Sequence, residues 1–75
     1  MEKELKEIIR KNDNDLMRWE NERDKLRSKM RFYAEHNLEE EKRITHIKLD
    51  SVDGIIYDYR QMIKDIQKLL PKSTS

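Results

Sequence analysis

The sequence predicts an all-α fold, an antiparallel two-helix hairpin with a coiled-coil-like seam. Three observations lead there. Of 75 residues, 44% are charged and 35% hydrophobic, with one Gly and one Pro, a composition that excludes β-rich and collagen-like classes and suits long helices. Apolar residues recur at near-heptad spacing, a periodicity that disordered chains of similar polarity lack. A polar interruption near residue 37 divides the pattern into two arms of similar length.

The first arm is expected over about residues 4–36. Alternating steps of four and three from Leu5 reach Ile9, Asn12, Leu16, Trp19, Arg23, Leu26, Met30 and Tyr33, and seven of these nine positions are apolar. The run Lys11-Asn12-Asp13-Asn14-Asp15 is the weak point, because Asn and Asp side chains compete with helical hydrogen bonding and a break there would detach the first twelve residues.

The seam then meets Asn37 and Glu40, both polar, which marks a turn at 36–38. Asn37 is placed to cap the next helix with Glu40 in the capping-box position, and Glu39, Glu40 and Glu41 put negative charge where the macrodipole favours it. The second arm is expected over about 38–70. Its seam runs through Ile44 and Ile47, then in shifted register through Val52, Ile55, Tyr59, Met62, Ile66 and Leu69, with Pro71 ending the helix and a frayed tail at 71–75. Equal arms of roughly 50 Å favour antiparallel pairing over one parallel coiled coil. That pairing sets Trp19 opposite residues 54–56, so Gly54 is expected to make room for the indole, and it sets Arg23 nearly opposite Asp53 as an inter-arm ion pair.

Charge and residue types narrow the function. Seventeen basic and sixteen acidic residues give a net charge of +1, which leaves no electrostatic footprint for nucleic acid. The absence of Cys removes disulfides and thiolate chemistry, no apolar run is long enough to span a bilayer, and the N-terminal stretch lacks a signal peptide's apolar region. These features lead to the expectation of a cytoplasmic protein. Two helices bury only one stripe each, so a homodimer along leftover apolar surface is also expected.

Chemistry-bearing residues cluster on the second arm. At about 100° per residue, His46, Asp50, Asp53, Tyr57 and Arg60 share an exposed flank beside the apolar face. One His and two Asp on a single helix make a poor metal set, so a solvated polar face is the simpler reading and no cofactor is expected on this chain. A lone hairpin offers no pocket to orient a substrate, so any catalysis would need a partner to bring most of the active site. On the first arm Arg23, Lys25, Arg27, Lys29 and Arg31 alternate; they read as solvated charges or as a surface for an acidic partner.

Val52, Asp53, Ile55, Ile56 and Tyr59, together with Leu26, Arg27, Met30, Ala34 and Leu38, resemble the small sporulation-regulating aspartyl-phosphate phosphatases, the Spo-zero-E-like family of Bacillus and its relatives. The similarity covers about residues 23–61. Those proteins are helical hairpins with a Ser-Gln-Glu-Leu-Asp signature; here Leu49 stands at the signature Ser, Asp50, Ser51 and Val52 follow it, and His36-Asn37 occupies the turn where the family usually has Gly. The resemblance implies a regulatory protein that docks on a response-regulator receiver domain and removes phosphate from its aspartyl phosphate. It assigns Asp53 as the catalytic acid that orients the attacking water or perturbs the acyl phosphate, and a magnesium ion to the partner's receiver site; His46, Leu49, Asp50, Tyr57 and Arg27 are expected as partner contacts. The alternative is a non-catalytic interaction module, coiled-coil adaptor or small inhibitor.

Overall fold

A computed structural model describes residues 1–70. Two helices, α1 (Glu2–Glu35) and α2 (Glu39–Gln67), pack along their lengths as a hairpin with extents of 55 × 19 × 14 Å. The helix bounds fall within a few residues of the expected arms. The tail expected to fray, 71–75, lies outside the described residues.

α1 is continuous through residues 11–15. Asn12 and Asp15 are half-buried there, so packing against α2 overrides the local preference of Asn and Asp for other conformations. Acidic first turns, Glu2 and Glu4 in α1 and Glu39 to Glu41 in α2, suit the helix dipoles. Short-range ion pairs, Lys6 to Glu2 at 3.2 Å and Arg43 to Glu40 at 2.7 Å, add small increments to each helix.

The turn differs from the expected capping box. Asn37 does not cap α2; Leu38 is the N-cap residue and no side chain caps it. Asn37 instead terminates α1 in the left-handed conformation, at φ 56°. The Leu38 N–H donates to the Tyr33 carbonyl at 2.9 Å, and the Asn37 N–H donates to the Ala34 carbonyl at 3.4 Å. This paired pattern is the Schellman termination, in which Asn is the usual substitute for Gly. The reason for the change is geometric: a residue held at positive φ to close one helix no longer has the extended backbone of an N-cap. Glu40, released from that role, pairs with Arg43.

In α1 all nine residues of the expected seam are buried or half-buried. In α2 the seam is corrected. Ile44, Ile47, Met62 and Leu69 are exposed, while Thr45, Leu49, Val52, Ile56, Tyr59, Ile63 and Ile66 face α1. The steps between the latter alternate four and three without a break, so the expected register shift is absent. A run that accepts Thr45 as an interior residue needs no shift, and Thr can present its methyl group to the seam.

The core is a cluster of Leu26, Val52 and Ile56, with Leu16, Trp19 and Leu49 packed against it and Ile63 buried further along. Gly54 does not accommodate Trp19: a Cβ built on it would meet nothing within 4 Å, and the residue is exposed. Val52 and Ile56 are the residues that turn toward the indole, which leaves Gly54 directed almost opposite. The Arg23 to Asp53 pair is also corrected. Arg23 occupies the seam with its Nε buried and, among the described residues, without a hydrogen-bond partner, 3.7 Å from Asp24, while Asp53 points outward. The ion pair that joins the helices among the described residues is Glu20 to Arg60, at 2.8 Å.

Candidate functional site

α2 carries three longitudinal stripes. The seam toward α1 is one. The second, His46, Asp50, Asp53, Tyr57 and Arg60, lies about 110° around the helix from it, and each of these residues is exposed. The helical spacing expected from sequence is therefore realised: five side chains stand in a line on one flank. His46 Nε2 lies 4.0 Å from Asp50 Oδ2, a separation at which attraction depends on imidazole protonation.

The Glu20–Arg60 bond fixes how α1 meets this flank. In an antiparallel heptad pair, moving one heptad up one helix and one heptad down the other restores the same facing relationship. From Glu20 and Arg60 that step leads to Arg27 and Asp53. The same interhelical position thus holds acid on α1 and base on α2 at one level, and the reverse at the next. Arg27 and Asp53 are both exposed, and neither makes an ion pair or side-chain hydrogen bond among the described residues. The structure brings these two site residues to one face of the hairpin, with His46, Asp50 and Tyr57 along the same edge.

Leu49 is placed differently. It is half-buried and packed on the Leu26, Val52 and Ile56 cluster, in the seam instead of on the flank. Met30, Lys42, Arg43 and His46 edge a shallow depression of about 270 Å³ near the turn. At the turn itself, the His36 ring stacks on Phe32 with centroids 4.1 Å apart, and its Nδ1–H donates to the Phe32 carbonyl at 2.9 Å.

The larger concavity is elsewhere. An open groove of about 660 Å³ runs between the helices on the side away from Asp53, floored by Trp19, Leu26, Val52 and Ile55 and edged by Asp15, Arg18, Glu22, Ile47 and Lys48. Among the described residues no group of three or more His, Cys, Asp or Glu is placed to hold a metal ion, and no helix is long and apolar enough to cross a membrane.

Sequence reasoning located the flank but missed Glu20, because its part depends on which residues face each other across the hairpin. Opposite charges one heptad apart on each arm, Glu20 with Arg27 and Arg60 with Asp53, were the available signal. Compared with family models, curated proteins and solved structures, the chain shows no significant match.

Proposed function

We propose that this hairpin is a regulatory protein that lays the Asp53 flank of α2 on a response-regulator receiver domain and promotes loss of phosphate from its aspartyl phosphate. The observation that carries the reading is the state of Asp53: an exposed carboxylate that makes no ion pair or side-chain hydrogen bond among the described residues, flanked along one edge by His46, Asp50 and Tyr57 and placed one heptad step from the Glu20–Arg60 pair, as Arg27 is on α1. A carboxylate committed to an inter-arm ion pair would have to break it to act. Asn37 adds support, since it adopts the left-handed turn conformation at the place where the resembling family has Gly.

In this reading the partner's acyl phosphate supplies the electrophile. Asp53 accepts a hydrogen bond from water and aims its oxygen at phosphorus. The new P–O bond forms as the bond to the receiver carboxylate breaks, releasing inorganic phosphate and a free aspartate. The partner's magnesium ion would offset charge on the phosphoryl oxygens, and the hairpin contributes chiefly positioning. Arg27 and His46 serve as partner contacts on either side.

A second reading, a hairpin that binds the same kind of surface without catalysis, is favoured by Leu49. It sits in the seam at the signature Ser position, so no hydroxyl is offered there. One experiment separates the two. A phosphorylated response regulator is mixed with the protein, and both complex formation and acyl-phosphate lifetime are followed, with Asp53→Asn as control. A shortened lifetime that Asp53→Asn restores while binding persists supports the first reading. Binding with an unchanged lifetime supports the second, and absence of binding to that receiver removes both for it.

A further inference from the structure

Among the described residues the third stripe of α2 is left largely uncovered by α1. Ile44, Ile47, Ile55 and Met62 fall within about 80° of one another on a helical projection, roughly 100° from the seam and 150° from the Asp53 flank. Ile55 is half-buried as part of the groove floor; the other three are exposed, Ile44 and Met62 at 42% and Ile47 at 55%. This is too much aliphatic surface, too regularly spaced, to be scattered exposure.

The sequence along this stripe is symmetric in a way that selects the occupant. The positions facing outward at heptad spacing are Ile44, Lys48, Ser51, Ile55, Asp58 and Met62, and they are arranged symmetrically about residue 53. When a second α2 is laid antiparallel across the first at that level, Ile44 meets Met62 of the other copy, Lys48 meets Asp58, and Ser51 meets Ile55, each twice by symmetry. These are the cross-layers of an antiparallel coiled coil. Apolar residues meet at the outer layers, opposite charges in the next, and a small residue faces a larger one at the centre. Ser51 can be covered without leaving an orphan donor, because its hydroxyl already donates to the Ile47 carbonyl at 3.2 Å.

We infer that the protein forms a closed, twofold homodimer in which the α2 helices of two hairpins pack antiparallel through the Ile44–Met62 stripe. Each copy covers part of the other's groove beside Trp19. An isologous contact of this kind closes after two copies and leaves no sticky end. It also leaves both Asp53 flanks on outer faces, so dimerisation and the proposed docking on a receiver use different sides of α2 and can fail separately.

The test is sedimentation equilibrium of the full chain across a wide concentration range, with the fluorescence of Trp19 followed in parallel. The expected mass is twice 9.3 kDa at high concentration, with a blue shift of the indole emission over the same range. The register is tested by charge reversal. Lys48→Asp and Asp58→Lys singly place like charges together twice, and each is expected to weaken association by about tenfold or more, while the double reversal restores it to within about threefold. Circular dichroism on each variant confirms that the hairpin is intact. A mass that stays monomeric, a mass that climbs past two copies, or single reversals that leave association unchanged would each overturn the inference.

Discussion

Arg60 reaches across the hairpin and donates from its Nη2 to Glu20 Oε2 at 2.8 Å, the ion pair among the described residues that ties α2 to α1. Both partners retain solvent access, so the attraction is screened and its net worth is small. Its value is as a register mark. It fixes which residues of α1 and α2 share a level, and from it follows the placement of Arg27 opposite Asp53. A double-mutant cycle with Glu20→Gln and Arg60→Gln is expected to give a coupling of about 0.2–1 kcal/mol that shrinks in high salt. A coupling near zero at low salt would mean that the pair does not hold the register.

The seam assignment in α2 makes a sharper prediction, because neighbouring residues should behave differently. Ile63 is 7% exposed and Met62 is 42% exposed. In dilute solution, where chains do not associate, Ile63→Ala is expected to cost about 2–5 kcal/mol, enough to unfold so small a core. Met62→Ala should cost under about 1 kcal/mol. Thermal melts of the two variants decide the matter, and comparable losses would restore the shifted register expected from sequence.

Two apolar stripes on α2 obscure its register in the sequence. α1 has a single apolar stripe, and all nine positions reached by stepping from Leu5 are buried or half-buried. α2 has two apolar stripes about 100° apart, and a reading that asks only for apolar residues at permitted spacings slides from one to the other. Ile44 and Ile47 belong to the open stripe, Val52 and Tyr59 to the seam, and joining them required a register change that the helix does not contain. Thr45 held the clue, but a polar residue at an interior place is legible only once the opposing helix is known. The flank behaved otherwise. His46, Asp50, Asp53, Tyr57 and Arg60 lie on one helix, so the angular spacing along that helix alone fixed their common exposure. Arg27's position opposite Asp53 depends on interhelical register, which no single-helix periodicity contains.

Gly54 offers a test of which α2 residues face Trp19. Sequence reading gave it the task of admitting Trp19, whereas the structure leaves open space where its Cβ would be. Gly54→Ala should therefore stabilise the hairpin by roughly 1 kcal/mol through helix propensity alone, with the Trp19 emission unchanged in dilute solution. A destabilised variant or a shifted indole spectrum would return Gly54 to the neighbourhood of the ring.

The turn gives the last prediction. Asn37 stands at φ 56°, and the two backbone hydrogen bonds that close α1, from Leu38 to Tyr33 and from Asn37 to Ala34, require that conformation. An Ala there carries a Cβ that crowds the neighbouring carbonyl and lacks the short polar side chain that makes the region tolerable for Asn, so Asn37→Ala should lower stability by about 1–2 kcal/mol. Asn37→Gly relieves the steric penalty but gives the unfolded chain more freedom, and the two effects oppose each other. The glycine variant should accordingly melt close to the parent protein and well above the alanine variant. If all three melted together, positive φ at residue 37 would not be a constraint on the fold, and the left-handed termination of α1 would have to be abandoned.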